Sequence, residues 1–146
     1  MSWTGEAGAL IARRAADVAS ANTLDVRGPA KAPQSWGLEA WANVNKSGDF
    51  NQVHTHGATF WSAVYYVRTD PGEGGELILH DPRQPGLSMH APMLRFKGTG
   101  PEQIASIVPR AGMLVLFPAW LTHHVRLWRG DGLRVSIAMN LAARPA

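Results

Sequence analysis

The chain has 146 residues, with 14 Lys plus Arg against 11 Asp plus Glu, six His and no Cys. A length near 150 residues predicts one domain, large enough to fold without disulfides. The lack of Cys excludes disulfide frameworks, thiol nucleophiles, iron–sulfur clusters and cysteine-ligated zinc. Any bound metal must therefore be held by His, Asp or Glu.

The charge pattern argues against nucleic acid or a membrane as a partner. The formal net charge is +3, but the cationic residues are scattered singly, and only Arg13 and Arg14 are adjacent. Nucleic-acid binding would favour a basic stripe with interleaved aromatic residues. No apolar run approaches the roughly 18 residues of a membrane span, and the first residues lack the basic and apolar regions of a signal peptide. We expect a soluble, cytoplasmic protein that acts on a small molecule.

The N-terminal region predicts one helix followed by a linker. The segment from Glu6 to about Ala21 is rich in alanine. One face of this helix is predicted from residues at helical spacing, namely Leu10, Ile11, Arg14, Ala15 and Val18. Residues 27–33 cannot continue the helix, because two prolines remove backbone donors and a glycine relaxes the chain.

Beyond Trp36 the sequence predicts an all-β barrel or sandwich. Short runs rich in Val, Ile, Trp, Tyr and Phe alternate with clusters of Gly, Pro, Asn and Asp. The predicted strands are Leu38–Val44, Thr59–Arg68, Glu76–His80, Ile104–Val108, Met113–Phe117, His123–Trp128 and Leu133–Leu141. We expect a single domain in which a helix and linker over residues 1–35 pack on a barrel over residues 36–146.

Histidines at two places in the chain are candidate metal ligands. His54 and His56 form a His-x-His pair, and residues i and i+2 of an extended backbone point to the same face, so both imidazoles can reach one ion. Far along the chain, His123 and His124 begin a predicted strand. Neighbouring residues of a strand face opposite sides, so we expect only His123 to bind metal, facing inward with Val125. Taken alone, each pattern is also compatible with solvated histidines.

The last predicted strand alternates between two faces. The apolar face consists of Val135, Ile137 and Met139, and the other face of Arg134, Ser136, Ala138 and Asn140. The second face is either solvated or turned into the lumen of a small barrel. In the lumen a buried arginine requires an anion, and arginine beside serine suits the capture of a carboxylate.

Six motifs in this order resemble the 2-oxoglutarate/Fe(II)-dependent oxygenases of the small prolyl-hydroxylase-like type. They are His54-x-His56, Val64–Val67, Gly74–Leu77, Val108–Gly112, His123-x-Val125 and Gly132–Ser136. A subgroup of oxygenases with a His-x-His motif is the most similar, on the stretches 41–43, 51–56, 81–83 and 117–121. The resemblance covers about Trp41 to Leu141.

The resemblance implies a double-stranded β-helix, a jelly-roll or cupin-like barrel, with an N-terminal α-helix. It also implies Fe(II), 2-oxoglutarate as cosubstrate, and O2. His54 and His123 match the two histidine ligands of the family. The cosubstrate-binding positions fall on Arg134, Ser136, Tyr66 and Asn43. Arg134 follows His123 by 11 residues, which fits a hairpin that returns the arginine to the same cavity.

His56 departs from the family, most members of which have a carboxylate at this position. A neutral imidazole makes the ligand set less negative and softer than a carboxylate does. Three-histidine iron sites occur in cupin-type dioxygenases, so metal binding survives the change. Asp49 or Asp81 is the alternative third ligand, but the i, i+2 geometry favours His56.

The resulting prediction is a hydroxylase in which Fe(II) and O2 oxidise 2-oxoglutarate to succinate and CO2 and a second, prime substrate is oxidised. One alternative is a cupin-like three-histidine dioxygenase that does not use 2-oxoglutarate. Another is a non-catalytic barrel that binds a sugar or a redox-inert metal. For the prime substrate, the candidates are Asp81, Arg83 and the loop Leu87–Gly100, which could hold a zwitterionic or carboxylate-bearing molecule. The alternative is an Asp-Pro turn with a solvated arginine. Exposed barrel edges often pair, so we also expect a homodimer.

Overall fold

The computed structural model describes residues 5–26, 35–82 and 104–144. These residues form α1 (Gly5–Ala21), β1 (Ser35–Asn45), β2 (Asn51–His54), β3 (Trp61–Thr69), β4 (Leu77–His80), β5 (Ile104–Ile107), β6 (Leu114–Pro118), β7 (His123–Val125) and β8 (Arg134–Arg144). The predicted helix and all seven predicted strands are present, with ends shifted by a few residues. The strand β2 was not predicted.

The strands form two four-stranded antiparallel sheets. The helix-side sheet has the order β1-β8-β3-β6, and the second sheet has the order β2-β7-β4-β5. Consecutive strands alternate between the sheets except for β4 and β5, which pair with each other. This winding is that of a double-stranded β-helix, so the fold prediction is confirmed.

The expected hairpin between His123 and Arg134 is wrong. β7 lies in the second sheet and β8 in the helix-side sheet, so the chain between them crosses from one sheet to the other. Side chains on the inner faces of two packed sheets meet in the same interior. His123 and Arg134 therefore reach a common space from opposite walls rather than from one hairpin.

The helix packs on the outer face of the helix-side sheet through small residues. Ala15 and Ala19 are fully buried in a cluster with residues of β3 and β8. Leu10 and Val18, which were predicted on the buried face, are 56% and 41% exposed. The small alanine side chains let the helix approach the sheet closely, so the face with Ala15 and Ala19 is buried. The helix is therefore rotated about its axis from the predicted orientation. Neither α1 nor any other helical segment in the described ranges has the length and apolarity of a membrane span.

The strand β8 has the two faces that its alternation predicted. Ile137, Met139 and Leu141 pack in the core beneath the helix. Arg134 and Ser136 point into the space between the sheets and are each 1% exposed. The second face of this strand is therefore the interior of the barrel.

The strand β2 was not predicted from the sequence, because it is short and polar. It lies at the edge of the second sheet and pairs only with β7, at Asn51↔Val125 and His54↔His123. Its Asn-Gln-Val-His sequence has no apolar alternation, and Gln52 and Val53 are exposed. An edge strand with little buried surface leaves no periodic signal.

Candidate active site

Three histidines converge at the junction of β2 and β7. His54 ends β2 and lies directly opposite His123, the first residue of β7. His56 follows two residues later, held by a backbone hydrogen bond from its N–H to the Ala119 carbonyl. The ring centre of His54 is 4.2 Å from that of His123 and 4.9 Å from that of His56. One potential ligand nitrogen from each ring lies within 4.8 Å of the others, so the three rings can share one metal ion.

The hydrogen bonds of two of these rings assign their protons. The Nδ1 atom of His54 lies 2.6 Å from the Gln52 carbonyl oxygen, and Nδ1 of His123 lies 2.8 Å from the Leu121 carbonyl oxygen. A carbonyl oxygen only accepts hydrogen bonds, so each Nδ1 carries the proton and donates. The lone pair is left on Nε2, the arrangement that backbone carbonyls commonly impose on metal-binding histidines.

Burial favours the neutral form of two of the three histidines, His56 and His123. His123 is 4% exposed, and its ring contacts Phe117 with 4.7 Å between ring centres. Burial is the main cause that lowers the pKa of His123 to about 4, with the Leu121 carbonyl opposing the shift. Burial and the nearby His54 also lower the pKa of His56. Neutral imidazole is the form that binds metal.

The neighbouring His124 faces away from the triad. Its Nδ1 lies 2.9 Å from Nε2 of His80 on β4, and the centres of these two rings are 5.0 Å apart. Burial, His80 and Arg126 lower the pKa of His124. The alternation of β7 thus places His123 with the other two histidines and turns His124 away from them, as expected. The pairing of His124 with His80 was not predicted.

No carboxylate joins the histidines within the described residues. Asp49 instead accepts a hydrogen bond of 2.7 Å from the Lys46 N–H in the turn between β1 and β2. Asp81 follows the end of β4 and does not belong to the converging group. Of the three candidates for the third position, His56 is the one that lies within reach of His54 and His123.

A buried arginine lies at the opposite end of the same interior. Arg134 is 1% exposed, and its Nη1 donates a 3.0 Å hydrogen bond to Oδ1 of Asn45. Its guanidinium carbon is 5.0 Å from the centre of the Tyr66 ring. Burial lowers the pKa of Arg134 and Tyr66 opposes the shift. Burial also raises the pKa of Tyr66, with Arg134 opposing, so at neutral pH the phenol keeps its proton.

Arg134 and Tyr66 retain unused hydrogen-bond donors. Nε of Arg134 and the Tyr66 hydroxyl are buried without a hydrogen-bond partner among the described residues. No described carboxylate pairs with the guanidinium, and Ser136 lies beside it on β8, also 1% exposed. Buried donors without partners are costly, and a bound carboxylate would satisfy them.

Gly75 provides the space for the buried arginine. It has a positive φ of 73°, and a Cβ atom at this position would lie 3.0 Å from Cδ of Arg134 and 3.2 Å from the ring of Trp128. The Gly-Gly-Glu-Leu turn that leads into β4 therefore lets the aliphatic stem of Arg134 pass.

One cavity contains all the predicted metal and cosubstrate residues. It encloses about 530 Å³, including its open mouth. The predicted residues that line it are His54, His56, His123, Arg134, Ser136, Tyr66 and Asn43. Asp81 is not among the described residues that line it. Arg83 and the loop Leu87–Gly100 lie outside the described residues.

Sequence reasoning missed two residues of this site. Trp41 lines the cavity, with its ring 6.1 Å from that of His56, and Asn45 binds Arg134. Both share a face of β1 with Asn43, because alternate residues of a strand point to the same side. The period-two pattern around Asn43 was the signal that could have found them.

A family model described as "Putative 2OG-Fe(II) oxygenase" matches residues 39–140. The match includes the three histidines, Arg134, all of β2 and β7, and the first seven residues of β8. A search of proteins with curated functions finds no match.

Two of the solved structures with a similar fold are an oxygenase-family protein and a hydroxylase. An oxidoreductase of the 2OG-Fe(II) oxygenase family from Burkholderia pseudomallei is 16% identical with a TM-score of 0.56, covering 76% of this chain and 47% of its own. A prolyl-4-hydroxylase from Pseudomonas putida is 21% identical with a TM-score of 0.50, covering 73% and 53%. The chain thus spans about half the length of these structures, and at such identities the likeness concerns the fold.

The metal-free protein should lose stability as the pH falls from about 6.5 to about 4. Above pH 6.5 the His123 imidazole is neutral in both the folded and the unfolded chain. Below it, the unfolded chain binds a proton that the folded protein does not bind until its lowered pKa of about 4, so the free energy of unfolding decreases over this window.

Urea unfolding at pH 7 and pH 5 in the presence of a chelator measures this loss. The His123→Phe variant should lose less stability between the two pH values than the original protein. It should keep part of the dependence, because the pKa values of His56 and His124 are also lowered. An equal loss in both proteins would contradict the role assigned to His123.

Proposed function

Because the chain belongs to the 2OG-Fe(II) oxygenase family, we propose that it is a 2-oxoglutarate- and Fe(II)-dependent dioxygenase that hydroxylates a prime substrate. One observation carries the proposal. A buried arginine that pairs with no described carboxylate lines the same cavity as three converging histidines. A cation and a metal site in one cavity suit a ligand with an anionic group at each end.

The histidines would hold Fe(II), His54 and His123 through their Nε2 atoms and His56 as the third ligand. When bound, Fe(II) with O2 converts 2-oxoglutarate to succinate and CO2, and one oxygen atom of O2 enters a C–H bond of the prime substrate to give an alcohol. The backbone carbonyls of Gln52 and Leu121 would hold the two rings in the metal-binding tautomer.

Arg134 would bind the distal carboxylate of 2-oxoglutarate. Its Nε and the Tyr66 hydroxyl are donors without a described partner, and the Ser136 hydroxyl is next to them on the inner face of β8. On β1, Asn45 pairs in register with Arg134 and Asn43 pairs with Ser136. Asn43 is therefore one step nearer the histidines, where it would contact the cosubstrate between its two ends.

The third imidazole changes the charge of the site. Three neutral ligands leave the full positive charge of Fe(II) in the cavity, whereas a carboxylate ligand would cancel part of it. Together with the charge of Arg134, this favours a dianionic cosubstrate. The apolar walls at Leu77, Phe117 and Val125 would limit the access of water to the reaction.

The three-histidine set itself favours a second candidate function, a cupin-like dioxygenase that does not use 2-oxoglutarate. This candidate accounts for His54, His56 and His123 equally well but leaves Arg134 without a ligand. An anaerobic, iron-loaded sample mixed with 2-oxoglutarate and then with O2 separates the two. Formation of succinate supports the first function, and its absence supports the second.

Replacing Arg134 should weaken 2-oxoglutarate binding. The Arg134→Gln variant lacks the positive charge but keeps hydrogen-bond donors, so the affinity measured by calorimetry with Mn(II)-loaded protein should fall at least about tenfold. Arg68→Gln is the matched control, because Arg68 is exposed and paired with Asp70. Unchanged affinity in a folded Arg134→Gln variant would rule out the carboxylate role of this residue.

Asn45→Asp tests whether the arginine must remain free of an acidic partner. The substitution replaces the amide that accepts from Arg134 by a carboxylate of the same shape. The metal-free protein should melt at a higher temperature, and 2-oxoglutarate should bind at least about tenfold more weakly, because the new carboxylate competes for the guanidinium. Asn22→Asp, which places a carboxylate at the exposed end of α1 and removes the amide donor to the Val18 carbonyl, should leave the affinity unchanged and should not raise the melting temperature. Retained affinity in Asn45→Asp would show that Arg134 does not bind the cosubstrate.

A further inference from the structure

A second pocket lies on the inner face of β1 and β8. It encloses about 600 Å³, including its open mouth. The residues that matter for its chemistry are Gly37, Glu39, Ala58, Thr59, Asn140 and Arg144. We call it the outer pocket.

The outer pocket adjoins the histidine triad on the side away from Arg134. Along the inner face of β1, Asn45 contacts Arg134 and Trp41 lies beside His56. Glu39 is the next residue on this face, about 7 Å further along the strand. The order along β1 is therefore arginine, histidine triad and outer pocket.

Two further links join the outer pocket to the main cavity. The segment Gly57–Thr59, which lines the outer pocket, directly follows His56. The Ser62 hydroxyl, in the wall of the main cavity, donates a 3.3 Å hydrogen bond to Oδ1 of Asn140 in the wall of the outer pocket. A molecule in the outer pocket would thus lie next to the metal site.

The outer pocket holds one negative and one positive side chain. Glu39 and Arg144 both line it, and neither side chain forms an ion pair or a hydrogen bond within the described residues. The guanidinium of Arg144 lies across Gly37, where a Cβ atom would collide with its Nε. Gly37 is two residues from Glu39 on the same face of β1, so the two charges lie at neighbouring positions without neutralising each other.

A strained residue forms the rim nearest the histidines. Ala58 has a positive φ of 58°, a conformation that residues other than glycine rarely adopt and that is often found at ligand sites. It places the turn after His56 against the outer pocket.

We propose that the outer pocket binds the prime substrate and that this substrate is a free amino acid. Its ammonium group would pair with Glu39 and its carboxylate with Arg144, leaving the side chain directed at the histidine triad. A zwitterion carries both charges a few ångströms apart, whereas a residue inside a peptide carries neither. The inference rests on the proposed function, and it moves the zwitterion-binding role expected for Asp81 and Arg83 to Glu39 and Arg144.

The reaction would hydroxylate the side chain of the amino acid. A C–H bond of the amino-acid side chain becomes C–OH, and 2-oxoglutarate loses CO2 and becomes succinate. One oxygen atom of O2 enters the alcohol and the other enters succinate. The ammonium and carboxylate groups of the amino acid remain unchanged, because they serve only to bind.

The experiment measures the binding of amino acids by calorimetry to the full chain loaded with Zn(II), without 2-oxoglutarate. The probes are the twenty free amino acids, followed by the N-acetyl and carboxamide derivatives of the one that binds best. We expect saturable binding of at least one free amino acid, and affinity at least about tenfold lower for each derivative because each lacks one charge.

Two variants test which side chain binds which charged group of the amino acid. Glu39→Gln should remove the preference over the N-acetyl derivative and keep that over the carboxamide, while Arg144→Gln should do the reverse. The exposed helix variants Glu6→Gln and Arg13→Gln should leave both preferences intact.

The proposal is overturned if no free amino acid binds with a Kd below about 10 mM. It is also overturned if the derivatives bind as tightly as the free amino acid. The same samples are titrated with 2-oxoglutarate after loading with Mn(II). Amino-acid binding without 2-oxoglutarate binding would reject the proposed function and retain the outer pocket. The opposite result would reject the outer pocket alone.

Discussion

The burial of one positive charge, that of Arg134, is the constraint on which the rest of the site depends. A guanidinium that is 1% exposed has lost its hydration, and in return it contacts the neutral amide of Asn45 and the ring of Tyr66, neither of which is a carboxylate. An aspartate in place of Asn45 would have neutralised the charge inside the protein. The amide orients the guanidinium and leaves its charge available to a ligand, at a cost in the stability of the ligand-free fold. Gly75 contributes by leaving space for the arginine stem.

The pairing of β1 with β8 spaces the parts of the site. Each step of two residues along these strands advances about 7 Å on the same face. Three successive levels carry the arginine with Asn45, the serine with Asn43, and Trp41 next to the histidines. His54 and His123 belong to strands of the second sheet, and His56 lies in the turn after β2. The site is therefore assembled across the gap between the two sheets. The helix covers the other face of β8 and closes the apolar core behind it.

Much of this arrangement was predictable from local patterns. The alternation of β8 separated its core face from its interior face, the i, i+2 spacing brought His54 and His56 together, and strand alternation chose His123 over His124. Each of these inferences depends only on the geometry of a single strand or its immediate continuation. The errors arose where contacts with a distant part of the chain determine the local structure. The helix turned its alanines inward because they permit close approach to the sheet, and β2 formed because β7 offered a partner to a polar segment.

The sequence by itself predicted the helix and seven of the strands, since periodicity is a local property of the chain, and its resemblance to a known family implied the double-stranded β-helix. The same sequence supplied the candidate residues for the proposed metal and carboxylate sites. Only the tertiary structure decided that β7 and β8 lie in different sheets, that Asn45 is the partner of Arg134, and that Glu39 and Arg144 line one separate pocket. These contacts join residues far apart in the chain: Asn45 and Arg134 are 89 positions apart. No local pattern specifies such a pair, because its geometry is set by the register between strands and by the packing of one sheet on the other.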